Sequence, residues 1–445
     1  MVRYIADFHI HSKYSRATSP EMELSHLAVW AVRKGIQILG SGDFTHPFWF
    51  RELKEKLEPA ENGLYKLRAI NPDIQKEIIR QGVDPKDIAG LRFILTSEVS
   101  LIYSKNGRTR RVHNLIFAPS LEIVEKINTS LMAIGNLLSD GRPILGLDSQ
   151  ELLKIILDIS AEAVLIPAHA WTPWFSVFGS QSGFDFLQEC FGDLTKNIFA
   201  IETGLSSDPG MNWRISRLDN ISLISNSDAH SPDNLGREAN IFEGERIDYS
   251  AIMGAIKNKE NSDATRTRFL KFVSTIEFFP EEGKYHYDGH RLCRVGLSPS
   301  ETKKLKGICP VCHRPLTIGV MHRIDDLADR REGEKPPGFV PYVRIIPLKE
   351  IIASIRKINK NSRAVQEEYL NLLKHFGNEF KILLDASPDE LSKRVDAQIA
   401  EAIINVRKGK VKITAGYDGE YGKIEPMLPE NLKSTDREQN QPGLF

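Results

Sequence analysis

The stretch Ala6-Asp7-Phe8-His9-Ile10-His11-Ser12 decides how the chain is read. On a β-strand, residues two apart point to one face, so His9 and His11 are expected to offer two imidazoles to one metal ion from a rigid first strand. The same residue types recur at the ends of later apolar runs. Ile36-Gln37-Ile38-Leu39-Gly40-Ser41-Gly42-Asp43 is followed by His46, Phe93-Ile94-Leu95-Thr96-Ser97 leads to Glu98, Ala163 to Ala168 leads to His169, and Ile221 to Ser227 leads to Asp228-Ala229-His230. Val112 to Phe117 carries His113 inside the run, and Ile198 to Ile201 ends in Glu202. Helix-like stretches such as Leu24 to Lys34 and Leu121 to Leu138 lie between most of them. Strand, helix, strand with ligating groups at the carboxyl ends is the grammar of a parallel β/α barrel, whose site is assembled from the loops after the strands. A lone histidine is more often a packed core or surface residue; six, with acidic partners on successive strand ends, point to a metal site.

Length and charge bound the rest. At 445 residues, two or three domains are expected. Lysines and arginines number 59 and acids 59, so the whole-chain balance does not announce a nucleic-acid partner, which would need a local basic face. Arg108-Thr109-Arg110-Arg111 and the run Arg323 to Arg331 are candidates, though such runs are more often solvated surface. No run of eighteen apolar residues exists and Met1 leads straight into the first strand, so the expectation is a soluble, cytoplasmic protein without membrane span or signal peptide, working as a monomer. There is no internal repeat.

The cysteines form a second signal. His290 and Cys293 stand as His-x-x-Cys, and Cys309-Pro310-Val311-Cys312 follows after a gap. Two such knuckles present four ligands to one tetrahedral zinc ion, which would hold a small loop-rich module together without chemistry of its own. His286 and His313 compete with His290 for the fourth position. Cys190 reads as a small buried apolar residue.

Beyond that module the periodicity is helical over Leu348 to Ile358, Ala364 to Phe376 and Leu391 to Val406, the last opened by Ser387-Pro388-Asp389-Glu390. Val411 to Thr414 reads as a strand, and Gly416-Tyr417-Asp418-Gly419-Glu420-Tyr421-Gly422 as a glycine-rich turn or, less simply, a cradle for a phosphate backbone. From Pro426 on, the chain is polar and expected to be disordered. The expected division is a metal-dependent barrel over 1–280, a zinc-ribbon module over 281–335, a helical DNA-engaging region over 336–425 and a tail over 426–445.

The ligand set His9, His11, Asp43, His46, Glu98, His113, His169, Asp228 and His230 resembles that of the PHP (polymerase and histidinol phosphatase) superfamily. The strings Ser41 to Pro47, Ala168 to Trp174 and Ser225 to Pro232, with the ribbon region and Gly416 to Tyr421, are similar to the endonuclease Q family in one order from residue 1 to about 424. That resemblance implies a distorted seven-stranded PHP-type β/α barrel and a DNA repair endonuclease that nicks on the 5′ side of a deaminated base. It implies one metal on His9, His11, Glu98 and Asp228, the catalytic core of the site. Glu98 would bridge to a second metal on His113 and His169, and a third would take His46 and His230. Lys13-Tyr14-Ser15-Arg16-Ala17 departs from the family pattern by lacking a further histidine, a place Asp43 would fill. His and carboxylate ligands suit zinc or manganese better than magnesium, although Mn2+ or Mg2+ is an alternative for activity.

The implied partner is duplex or single-stranded DNA with uracil, hypoxanthine, xanthine or an abasic site, its lesion leaving the stack to enter a pocket. Trp171, Trp174 and Phe175, just after His169, are candidates for that pocket's wall, with aromatic loop packing as the alternative. The ending Gln441-Pro442-Gly443-Leu444-Phe445 is similar to the peptide that grips the bacterial sliding clamp, through Gln441, Leu444 and Phe445. Competing functions are a PHP-type phosphoesterase for a small phosphorylated metabolite and a clamp-tethered scaffold with a degenerate core.

Overall fold

The computed structural model describes residues 1–68, 72–80, 82–258 and 270–428. Of the expected tail, residues 429–445 with Gln441, Leu444 and Phe445 lie outside the described residues, whereas Pro426 ends a strand and the Met427 amide donates to the Lys410 carbonyl, so the ordered chain reaches past the expected start of the tail. Strand Val2–Asp7 runs through the middle of a mixed sheet, parallel to Ile38–Gly40 on one side and antiparallel to Ala239–Gly244 on the other. Ile38–Gly40 passes the parallel pairing to Arg92–Lys105. The parallel grammar ends there. Arg92–Lys105 and Arg108–Ala118 form a long antiparallel hairpin, and Arg108–Ala118 pairs antiparallel with Val164–Pro167. The cause is legible in retrospect: Asn106 and Gly107 both take positive φ (55° and 69°), as a two-residue hairpin turn requires.

Ala200–Glu202 and Ser222–Ile224 restore parallel pairing. The amide of Ala170 donates to the Glu202 carbonyl, and Ile10 bridges to Ala229, so the strand ends that carry the expected ligands face one another. Inward-facing Phe8, Ile38, Ile94, Phe117, Ile166 and Phe242 fill the space beneath them, with Phe8 edge-on to Phe117 at 5.6 Å. Helix Leu24–Lys34, as expected from its periodicity, packs outside and ends on Gly35 at φ 92°. Helix Leu121–Met132 stops six residues before the expected Leu138, because the amides of Ile134 and Gly135 both turn back to the Leu131 carbonyl.

The helical region holds one surprise. Instead of one helix from Leu391 to Val406, two helices, Pro388–Arg394 and Ala397–Arg407, are separated by extended Val395. The Asp396 carboxylate accepts from the amides of Gln398 and Ile399 and starts the second one. Buried Glu379 ties this region to helix Leu24–Lys34: it accepts from the Leu348 amide and the Tyr369 hydroxyl and pairs with Lys34 at 2.8 Å. Strand Val411–Thr414 pairs with Lys423–Pro426, and the glycine-rich segment between them is used for docking. The Tyr287 amide donates to the Gly416 carbonyl, while the amides of Gly419 and Gly422 donate to the carbonyls of Lys284 and Glu282. No helix of the described residues is long and apolar enough to cross a membrane.

Gly40 marks the closest backbone approach beneath the site, since a Cβ there would lie 2.2 Å from the Phe8 carbonyl oxygen and 2.6 Å from Thr96 Oγ1. Gly40→Ala is expected to destabilise the protein by about 1–3 kcal/mol, the usual cost of overpacking, read as a lowered midpoint in a denaturant or thermal melt.

Candidate metal centre

Glu98, fully buried in strand Arg92–Lys105, is the hub of the site. Its Oε2 lies 3.4 Å from His9 Nε2 and 3.3 Å from His11 Nε2, and Asp228 Oδ1 stands 3.0 Å from His11 Nε2 and 3.7 Å from His9 Nε2. Its other oxygen, Oε1, lies 2.8 Å from His113 Nδ1 and 3.0 Å from His169 Nε2, which are themselves 3.2 Å apart. Two groups of ligand atoms therefore converge, His9–His11–Glu98–Asp228 and Glu98–His113–His169, sharing one carboxylate. Four donors around a zinc-sized ion with bonds of about 2.1 Å stand about 3.4 Å apart in a tetrahedron, and these separations match that spacing.

The protonation logic also demands a cation. A carboxylate only accepts, so the His9 Nδ1–H points at Glu202, 3.0 Å away, and the His11 Nδ1–H at Asp43, also 3.0 Å away. Each ring is left with its Nε2 lone pair aimed at carboxylate oxygens, and buried His9 Nε2 has no hydrogen-bond partner. Lone pairs facing anions need a proton or a metal between them. In the metal-free protein the proton fills the gap: burial opposes the charge, yet Glu202, Glu98 and Asp228 raise His9 well above its ordinary value, and Asp43 does the same for His11. Burial likewise opposes ionisation of Glu98 and is outweighed by His113, Arg142 and His9, which hold its carboxyl well below the usual range.

Behind the ligands sits a second layer. Glu202 accepts from His9 Nδ1, from the His169 amide at 2.7 Å and from Asn226 Nδ2 at 2.8 Å. Asp43, expected among the ligands, belongs to this layer too. Its Oδ1 holds His11, while its Oδ2 accepts from the Ser12 amide and from the hydroxyls of Ser12 and Ser15. The chain turns sharply at these points: Asp43, His169 and Asp228 all take the left-handed conformation (φ 42°, 27° and 47°), a backbone strain common at functional sites.

The pair implied for a third metal stands outside both groups. His46 stacks on Tyr14 at 4.4 Å with its Nδ1 unpartnered, and His230 leans on the Asp228 carbonyl at 2.9 Å. Neither enters a group of three ligating side chains among the described residues.

Arg142 is a site residue that the sequence does not signal. Its Nη1 donates to Glu98 Oε2 at 3.0 Å, and its side chain keeps a quarter of its surface open. Gly141 lets the loop lie flush against the site, since a Cβ there would fall 2.3 Å from both Asp43 Oδ2 and Ser15 Oγ. A lone loop arginine has no pattern to give it away; the Gly-Arg-Pro context is the one hint.

Of the three aromatic candidates, Trp171 is a core residue. It is 1 % exposed, donates to Asn212 Oδ1 and packs on Phe178, so it offers no face to a base. Phe175, at φ 63°, lies 4.7 Å from the His113 ring, and Trp174 is 37 % exposed and edge-on to Tyr285.

Away from this centre, His290, Cys293, Cys309 and Cys312 bring their ligand atoms within 4.8 Å of one another, and all the cysteines are free thiols. Hairpin strands Asp288–His290 and Val295–Leu297 present the first knuckle. His286 is buried elsewhere and His313 points from a left-handed turn, so neither joins the group. Cys190 is buried as expected.

Replacing Glu202 by Gln removes the anion that orients His9 and is expected to weaken metal binding about 10–100-fold, the usual cost of losing such a partner, read in a chelator competition with metal content by mass spectrometry. Because raised His9 and His11 must lose protons to bind, affinity for the cation should rise with pH above the ordinary histidine range and fall on acidification. A pH-independent affinity would contradict this arrangement.

The chain is similar to several known proteins. Residues 347–410 match the family described as the MJ0043 C-terminal domain. Protein MJ0043 of Methanocaldococcus jannaschii is 35% identical over 258 residues, 58% of this chain but only 31% of that protein, so the chain spans under a third of that relative's length. Protein YqxK of Bacillus subtilis is 28% identical over 96% of this chain and 100% of its own. Among solved structures, the lesion-specific endonuclease PfuEndoQ from Pyrococcus furiosus superposes with a TM-score of 0.81 and 31% identity over 100% of both chains. An endonuclease Q bound to a 27-mer duplex with an abasic lesion at its active site gives 0.80 and 31% identity over 99% of this chain and 100% of that one. Full-length likeness at that identity, on a sheet that gathers two sets of metal ligands around one carboxylate, establishes that the chain belongs to the endonuclease Q family of metal-dependent DNA endonucleases.

Proposed function

We propose that the protein is a DNA repair nuclease that cuts the phosphodiester on the 5′ side of a deaminated base (uracil, hypoxanthine or xanthine) or an abasic site. The observation that carries this reading is the paired ligand cluster around Glu98, in a chain that matches over its whole length an endonuclease Q holding an abasic duplex. Our reading of the fold is a distorted seven-stranded PHP-type barrel over 1–280, followed by a zinc-ribbon module over 281–335, a DNA-engaging region over 336–425 and a tail whose Gln441, Leu444 and Phe445 bind a sliding clamp. The assignment of zinc to His290, Cys293, Cys309 and Cys312 rests on three thiol donors, which favour a soft tetrahedral ion. We take the protein to act as a cytoplasmic monomer.

In the barrel, His9, His11, Glu98 and Asp228 would hold one cation and Glu98, His113 and His169 another, with zinc or manganese favoured over magnesium by the imidazole donors. When bound, such a pair activates water and stabilises charge on the phosphoryl and leaving oxygens. The chain's own residues supply the remainder. Glu202 and Asp43 fix the tautomers of His9 and His11 so that both present lone pairs inward. Arg142 is the guanidinium at the mouth of the cluster, and its outward N–H groups suit a phosphodiester oxygen. Phe175 and Trp174 line the approach beside His113 and suit stacking against a displaced base.

The test is incubation with labelled duplexes carrying one hypoxanthine, uracil or abasic site, with manganese or magnesium, beside the Asp228→Ala protein. A single nick 5′ of the lesion is expected, absent from the intact duplex and from the variant. Hydrolysis of small phosphate monoesters without nicking would instead favour a metabolic phosphoesterase. Arg142→Ala is expected to lower kcat/KM for nicking by about 10²–10³, the cost of losing one preorganised charge donor, while metal content stays unchanged.

A further inference from the structure

The ribbon module carries a surface that the metal chemistry leaves unused. Between the ligands His290 and Cys293 stands Leu292, 81 % exposed, and between Cys309 and Cys312 stands Val311, 63 % exposed. Large apolar side chains this open are individually unremarkable, but these two crown the two turns that close on one metal point. Their neighbours are cationic. From His290 to Arg314 the chain holds six lysines and arginines against one acid, Glu301, in a protein whose whole-chain charge is zero. Lys303 is neutralised by Asp325 and Asp326. Arg291, Arg294, Lys306 and Arg314 are exposed and enter no ion pair among the described residues.

The tips are also rigid. His290 and Cys293 flank Leu292 within a single tight turn closed by Arg294 at φ 53°, and the Arg291 amide donates to Asp418 at 2.6 Å. The module is fixed beside the metal centre: Arg323 donates to the Phe178 carbonyl, and Tyr285 meets Trp174, one residue from Phe175 over His113.

Rigid apolar points ringed by cations fit a stacked, anionic polymer. Unstacking a base step costs a few kcal/mol, and a preordered apolar side chain meets that cost with little entropy of its own. We infer that Leu292 and Val311 form a wedge that presses into the stacked bases of the substrate duplex, while Arg291, Arg294 and Arg314 hold its phosphates. The inference rests on the reading of the chain as a nuclease for lesion-bearing duplex DNA.

The experiment uses the full-length Leu292→Ser/Val311→Ser double variant and a separate Arg291→Gln/Arg294→Gln/Arg314→Gln variant, each checked for zinc content and melting temperature. An Asp228→Ala background prevents cleavage of a duplex that carries 2-aminopurine beside an abasic site. The parent should brighten the 2-aminopurine on binding; the serine variant should lose most of that rise and bind about tenfold more weakly, as when base stacking on a side chain is removed. For the glutamine variant, the slope of log affinity against log salt should fall by about 0.9 for each phosphate no longer held. Equal brightening and affinity in a zinc-replete serine variant would overturn the wedge and assign the tips to a protein partner. An unchanged salt slope would overturn the phosphate-holding role of the arginines. If the unaltered protein neither binds nor nicks the lesion duplex, the nuclease reading itself fails, an outcome distinct from either of these.

Discussion

One buried carboxylate governs the molecule. Glu98 receives His9 and His11 at one oxygen and His113 and His169 at the other, with Arg142 alongside. Removing charges from water costs several kcal/mol per ion unless they are compensated, and here compensation is complete only when cations stand between the imidazoles and the carboxylates. The strained turns at Asp43, His169 and Asp228 belong to the same balance. Each costs about 1–3 kcal/mol and persists only because the surrounding sheet over-determines it. The Phe8–Phe117–Phe242 core beneath the strands and the Glu202 and Asp43 hydrogen bonds behind the ligands supply that rigidity.

What the sequence discloses follows from what periodicity can carry. His9 and His11 are legible because extended backbone places alternate residues on one face, although the strand itself stops at Asp7 and the two stand just past its end, and Glu98, His169 and Asp228 because an apolar run leads to each of them. Asp43 reads as a ligand, yet its carboxylate stands behind His11 and outside both groups of ligating side chains, a direction set by its left-handed backbone that residue spacing does not encode. Arg142 is invisible at that level because its role comes from a loop pressed against the site across Gly141, a tertiary approach without local pattern. The same limit applies to the fold. Helix Leu24–Lys34 is where its pattern puts it, whereas the break at Val395 depends on a cap supplied by Asp396, inside a run whose apolar spacing alone reads as continuous. The antiparallel hairpin is announced by Asn106-Gly107, a local signal overshadowed by the parallel grammar around it.

The two groups of candidate metal ligands are mechanically joined. The loop after His169 carries Phe175 against the His113 ring, Ser180 donates to the Ile318 carbonyl at 3.5 Å, and Phe178 accepts from Arg323. The module that gathers His290, Cys293, Cys309 and Cys312 thus packs against the wall of the Glu98 cluster, and the two groups share no residue. Whole-chain neutrality conceals a comparable division of labour, since the basic stretch from His290 to Arg314 is offset by acids elsewhere in the sequence.

The docking of Gly416 to Gly422 onto Lys284, Glu282 and Tyr287 has a consequence for how the protein is made. The backbone of the ribbon's first segment finds its hydrogen-bond partners in residues that leave the ribosome more than a hundred positions later. Strand Val2–Asp7, with His9 and His11 just beyond its end, emerges long before either, but the segment from Glu281 to Tyr287 cannot settle against its brace until nearly the whole described chain has been synthesised. Biogenesis therefore delays the finished nuclease, and a product truncated before Gly416 would leave the Glu281 to Tyr287 backbone without its cross-bracing.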